Sequence, residues 1–574
     1  MNCSGFRKCG REASATRVQE FDGCPADLNH RPPEITNAQK GRFNCDPIQI
    51  LPLLMVTFMA FSLSGKVTQA ATYYVDGSAP NDSGNGSLAT PKQYITSGIQ
   101  LLASGDTLVI RDGTYTGANN AIGDYASPQA WPPSGTASNP TTIKADHIGM
   151  AIIDAQLSHP AFSNINRTYP SGKINYLHID GIVFQNGSGG VFALMGDYNK
   201  VTNCGFMTGG SADGYPDGEY SIASIGGGSS YSLVEDCWVW GKGRYGFYTS
   251  SPNGGTNHII FRRVIVRLDS TPAGVMTAGL RFYYSSNNIM QNCIIIDGNW
   301  NSASAELHGM ATGGGSSNGD LNDTFIGNIV LNNPLIDCYW SEKGTQTHIL
   351  SNNVCWGNYY GPATCQDFES PFTINFGNNT VGNNSQADIR SHYSSITFND
   401  SSNLIFTKSG GSSYSDQAPN ATGDNVYLAS GASIGSPPSA GYTSTNNATL
   451  TTLSNAGLKY LPRIEAGSAL AAAGAGANIL YQQGVSGTLY GETGYNTLTS
   501  TQLWPYPNEQ LWANKLRAYN GSGATGNRGF AALANSSATP LTDYIWGYLG
   551  NAKPNIYGVA DTTPPAAPRG LTVR

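Results

Sequence analysis

Ionisable and aromatic side chains recur at matched places in the middle of the chain. Five short segments carry them: YGFYT (245–249), GLRFYY (279–284), AELHGM (305–310), LIDCYW (335–340) and CQDFE (365–369). In a strand, successive side chains point to opposite faces. With Phe247, Leu280, Phe282, Leu307, Ile336, Cys338, Trp340 and Phe368 facing inward, the outward set is Tyr248, Arg281, Tyr283, Glu306, His308, Asp337, Tyr339, Asp367 and Glu369. Lys242 and Arg244, in WGKGRYG, fall at its edge. Stacked side by side, these residues make one column of aromatic plates and charges. Such a column suits a sugar polymer, whose rings stack and whose hydroxyls need fixed partners.

Two reactions fit the column. In β-elimination a cation neutralises a uronate carboxylate and so acidifies the neighbouring C–H. A base then takes that proton and an acid assists the leaving oxygen. Arg281, Lys242 or Arg244 would neutralise, and His308 or Tyr283 would serve as base or acid. Tyr248, Tyr339 and Asp367 would hold substrate. In hydrolysis two carboxylates flank the bond, about 5–5.5 Å apart for retention and roughly 6.5–9.5 Å for inversion. Glu306 and Asp337 on adjacent strands suit the first spacing, Glu306 and Asp367 the second. A third reading makes the protein a non-catalytic surface, matrix or adhesin-type protein.

Each group also has a structural reading. Arg281, Glu306 and Asp337 could form an ion-pair ladder, His308 could be a packed histidine, and strands favour tyrosine anyway. The loop DGYPDGE offers Asp213, Asp217 and Glu219 to Ca²⁺, a hard cation that takes oxygen ligands, or is a solvated turn. Ca²⁺ is the one cofactor entertained. Arg262, Arg263 and Arg267 could meet a polyanion or form a solvated edge. No P-loop, HExxH or paired CxxC is present.

What must position the column is a repeat. The unit reads apolar, x, Asn/Asp, small or apolar, x, apolar. Its copies are IDGIVF (179–184), VTNCGF (201–206), VEDCWV (234–239), FRRVIV (261–266), MQNCII (290–295), FIGNIV (325–330), LSNNVC (350–355), FGNNTV (376–381) and DSSNLI (400–405). Repeats of 20–50 residues signal a solenoid, and Val/Ile-rich strands without helical periodicity make it a β-solenoid. One coil cannot bury its own apolar face, whereas coils stacked about 4.8 Å apart can. The third-position Asn is expected to form an amide ladder between coils. Cys204, Cys237 and Cys293 share the fourth position with Val264 and read as small buried hydrophobes, a Cys204–Cys237 disulfide being the alternative.

Composition agrees. The 574 residues include 70 glycines and only 12% charged residues, which suits short strands and tight turns. Thirty-one tyrosines argue against disorder. The formal net charge of −7 gives no global attraction to nucleic acid or anionic membranes. GDTLVIRDGTYTG (105–117) then resembles the first coil of the pectate-lyase-like β-helix superfamily, and the resemblance extends over about residues 72–480. It implies an all-β, right-handed parallel β-helix. It also implies a polysaccharide partner, with lyase, hydrolase and non-catalytic members all known.

The ends complete the plan. Residues 1–47 read as a non-structural extension. Residues 48–71, with an apolar run and VTQAA, read as a signal peptide, so secretion to the exterior or cell surface is expected. No stable membrane span is expected, and a monomer is. Residues 95–103 make a short helix capping the first coil. Residues 481–558, with helices beginning near Asn508 and over 541–550, are expected to cap the open far end. Residues 559–574 look like a linker or the first strand of a fibronectin type III domain.

Overall fold

The computed structural model describes residues 70–165, 172–209, 221–241, 243–250, 255–268, 277–298, 307–313, 322–342, 347–364, 373–391, 397–416, 421–422, 425–429, 442–446, 458–518, 540–555 and 557. The proposed extension and leader, save residues 70–71, and the proposed linker lie outside them, as do Lys242, Glu306, Asp367, Asp213, Asp217 and Glu219. The described strands form three long sheets of 13, 11 and 13 strands, and every pairing within them is parallel where its register is given. Each coil gives one strand to each sheet in turn, as in Leu233–Glu235, Trp238–Gly241 and Tyr245–Ser250. This is the expected right-handed parallel β-helix.

The repeat sets the corner between the first and third sheets. Every third-position residue adopts a left-handed backbone: Gly181, Asn203, Asp236, Arg263, Asn292, Gly327, Asn352, Asn378 and Ser402, with φ from 51° to 75°. Among L-residues Asn and Asp tolerate this best, which explains the repeat's signature. A third-position side chain therefore swings out of the coil. The amide ladder expected there runs instead through the fourth position. Asn328, Asn353, Asn379, Asn403 and Asn425 are wholly buried. Each backbone N–H donates to the next Oδ1, at 2.8–2.9 Å. Earlier coils fill the same column with Ile182, Cys204, Cys237, Val264 and Cys293, all buried. Cys204, Cys237 and Cys293 are free thiols, and the disulfide joins Cys338 to Cys355 inside the core.

The interior is a stacked apolar column, for example Phe206, Phe247, Phe261, Phe282 and Phe325. Helix Ile95–Ile99 packs Gly98 against Val75 and Leu108 at the first coil. The C-terminal region takes a different course from the expected cap. Its described residues lie along the side of the solenoid and run back toward earlier coils. Gly476 N–H donates to Ser402 O, Asn478 N–H to Asn352 Oδ1, Gln483 N–H to Asn292 Oδ1 and Gly487 N–H to Glu235 Oε2. Asn508 reaches Asn203 at 2.7 Å. The outward side chains of Asn203, Asn292 and Asn352 at the third position, with Glu235 and the Ser402 carbonyl, are thus docking points of a lateral strap. Helices Glu509–Ala518 and Leu541–Trp546 belong to it.

The cause is the third sheet, whose strands are apolar on both faces. Trp238, Trp240, Ile265, Ile294, Ile329, Val354 and Trp356 face out and are buried against Leu461, Ile479, Trp504, Trp512 and Trp546. A strand buried on both sides reads as a continuous apolar run. The Arg262–Arg263 run is likewise no free polyanion site. Arg262 is fully buried, pairs with Glu235 at 3.0 Å and donates to Val485 O and Tyr495 O of the strap.

Candidate functional site

The second sheet carries the chemistry read from the sequence. Its central strands align Tyr245-Gly246-Phe247-Tyr248 with Ala278-Gly279-Leu280-Arg281, His308-Gly309-Met310-Ala311 and Asp337-Cys338-Tyr339-Trp340. The second residue of each quartet sits where the coil enters the sheet. In earlier coils both residues of the equivalent pair face the core, as Val191 and Phe192 or Ile222 and Ala223 do. Period-two alternation therefore slips by one at this corner.

That slip corrects one expected residue. Tyr339 is a core residue with no exposure, packed edge-on against Phe325 with ring centroids 5.0 Å apart. Burial holds its hydroxyl well above the usual tyrosine range. It cannot hold substrate on the outer face. Trp340 takes that place, so the side chain read as inward is on the outer wall. A sequence signal existed: Gly246, Gly279 and Gly309 stand at the slip, with Cys338 in register.

The remaining described residues lie together. Tyr248, Arg281, Ala311 and Trp340 are register neighbours across four coils, and so are Tyr245, Ala278, His308 and Asp337. Arg281 is fully buried, with its guanidinium carbon 4.4 Å from the centroid of the Tyr283 ring and 5.3 Å from that of Tyr245. Cations over ring faces are held by the ring quadrupole. Arg244 lies 5.0 Å from the Tyr245 ring on the edge. His308 is fully buried and stacks on Trp340 at 4.2 Å. Neither of its ring nitrogens has a hydrogen-bond partner among the described residues. Asp337 Oδ2 stands 3.9 Å from His308 Nδ1, beyond hydrogen-bond range. Burial, and then the Arg281 charge, hold the His308 imidazole well below its ordinary pKa, so the ring is neutral.

An open cavity of about 260 Å³ continues this face toward earlier coils. Ser163, Ala193, Ser224 and Tyr248 line its floor, with Tyr125 and Ile165 at the rim. The cavity was not legible in advance, because Ser163 and Ser224 carry no motif. Among the described residues no group of three or more His, Cys, Asp or Glu could hold a metal, and no helix is long and apolar enough to cross a membrane.

The class these coils define is the parallel β-helix. No protein-family model and no curated protein matches the chain. Solved structures similar to it include a pectate lyase, at 14% identity over 76% of this chain and 90% of that one, with a TM-score of 0.35. A PL6-family polysaccharide lyase from Pseudopedobacter saltans aligns at 12% identity over 61% and 90%, TM-score 0.41. The catalytic domain of a GH87 α-1,3-glucanase aligns at 14% over 59% and 64%, TM-score 0.35. Likeness this distant carries no residue correspondence and no activity.

Proposed function

We propose that this is a secreted, carbohydrate-active β-helix protein that cleaves an acidic polysaccharide by β-elimination on the outer face of its second sheet. One observation carries the reading. His308, a neutral imidazole with no hydrogen-bond partner among the described residues, sits one coil from the buried Arg281 cation, on the face that opens at Tyr248. A neutral imidazole can accept a proton, and a guanidinium can neutralise a uronate carboxylate. Tyr283, whose ring lies against the same guanidinium, would assist the leaving oxygen. The full burial of Arg281 and His308 favours a second reading, in which the face only binds sugar and the pair is structural.

Incubating the purified chain with uronate polysaccharides, and following both the ultraviolet absorbance of unsaturated products and new reducing ends, separates the readings. Unsaturated product that disappears in Arg281→Ala and His308→Gln supports the lyase. Reducing ends alone point to hydrolysis. Binding without product supports the non-catalytic protein.

A further inference from the structure

A second, larger cavity of about 590 Å³ lies on the outer face of the first sheet, away from the site above. That volume is ordinary for a small-ligand site. Its position follows from where the strap stops. Farther along, the outward residues of this sheet are Leu233, Ile260 and Ile289, and strap residue Leu489 covers them. In the preceding coils the outward residues turn polar: His178 and Asp180, then Lys200 and Thr202. Ser486, Gly487 and Leu489 leave those residues uncovered and form one wall of the cavity.

The polar floor has a fixed hydrogen-bond direction. Thr202 Oγ1 donates its single proton to Asp180 Oδ1 at 2.6 Å. His178 Nε2 lies 2.9 Å from Thr202 Oγ1, whose one proton is already given to Asp180, so Nε2 carries a proton and donates. The floor is therefore ordered before any ligand arrives. Its charges are largely answered already. Glu235 is paired with Arg262 and Arg263, and Asp236 with Arg263. Lys200, the register neighbour of His178, adds an ammonium donor to the cavity lining.

The other rim is aromatic. Tyr176 and Tyr198 stack face to face at 4.9 Å, and the ladder continues through Tyr231 and His258 at 5.1 and 4.6 Å. All four hold left-handed backbones, with φ of 52°, 58°, 52° and 55°. Aromatic residues adopt that conformation at a cost, and such outliers gather at functional sites. Here they turn Tyr176 and Tyr198 toward the cavity, and Tyr198 is 37% exposed.

We infer that this cavity is a second ligand site that takes an uncharged sugar of mono- or disaccharide size. Fixed acceptors and donors at coil spacing suit vicinal hydroxyls, the tyrosine edges give an apolar rim, and the near-balanced charge offers nothing to a polyanion. The site stands independently of the cleavage reading for the second sheet.

Calorimetric titration of the full chain with cellobiose, maltose, mannobiose and xylobiose, and with digalacturonate for comparison, tests it. At least one neutral disaccharide binds one to one, and Lys200→Ala and Thr202→Val each weaken that binding by about tenfold or more. Lys200 is half-buried, so its truncation leaves the fold intact. Absence of binding by all four neutral sugars overturns the inference. So does tighter binding of digalacturonate, or neutral-sugar binding that survives both substitutions.

Discussion

Asn379→Ala tests the amide ladder directly. Asn379 is fully buried. Its Oδ1 accepts the Asn353 N–H at 2.8 Å and the Asn353 Nδ2–H at 3.0 Å, and its own Nδ2 donates to Leu350 O and Asn403 Oδ1 at 3.0 Å. Truncation removes all four bonds. Asn353 Nδ2 keeps Phe325 O, and Asn403 Oδ1 keeps the Asn379 backbone N–H. The Asn353 backbone N–H keeps no partner among the described residues. The orphaned buried amide costs at least about 1 kcal/mol and each of the other three lost bonds about 1 kcal/mol, so the total is at least roughly 4 kcal/mol. Hydrogen exchange of a peptide containing Asn353, followed by mass spectrometry, reads this as roughly a thousandfold faster exchange of that amide. Asn375→Ala, an exposed change on the same coil, stays within about 0.5 kcal/mol. Equal exchange in the two variants would refute the ladder as a source of stability.

Arg262→Met removes one of the two guanidinium partners of Glu235, leaving Arg263 at 2.8 Å, and cuts the bonds to Val485 O and Tyr495 O, at a cost of roughly 3 kcal/mol. Limited proteolysis should then cut first between residues 485 and 495, and a first cut elsewhere contradicts the docking role. Asp388 is buried, and burial pushes its carboxyl up to about 7 from 3.8. The native state therefore holds a proton that the unfolded chain releases. Stability is full below about pH 4 and declines as pH rises toward 7, and Asp388→Asn should remove up to roughly 4 kcal/mol of that decline. Chemical denaturation at pH 4.5 and 8 measures it, and an unchanged pH slope argues against the shift. Trp340→Ala strips one face of His308 of its stacked ring. It should raise the imidazole pKa toward the ordinary value, which NMR titration of the ring protons follows; a value still far below 6.5 means burial by other groups dominates.

The repeat was legible because it is local. Nine copies of one six-residue unit give the corner, and Asn or Gly at its third position reports a left-handed backbone. The ladder was misplaced by one residue, because Cys204 and Val264 hide a position that only later coils fill with Asn. The site was legible where alternation is regular, as at Arg281 and Tyr283. It failed at Tyr339, where the chain places two consecutive residues inward. The two helices of the strap were legible, near Asn508 and over 541–550, but the flank on which the strap docks was not. Its contacts join residues hundreds apart in sequence, and its apolar partners, Trp238 and Trp240, look like any other core residues. The charged run at 262–263 misled for the same reason: its partners, Val485 and Tyr495, carry no signal in their types.

The strap also bears on the order of events as the chain is made. Most solenoid contacts join neighbouring coils, so coils can form progressively as they emerge. The bond from Asn508 to Asn203 spans 305 residues, and that from Tyr544 to Asp297 spans 247. Early coils thus present the bare indoles of Trp238 and Trp240 until nearly the whole chain exists. Long-range closures of this kind slow folding and prolong the exposure of apolar surface. The final hundred residues act as a late clasp, and a chain shortened before residue 476 would keep its coils while leaving a sticky flank along them.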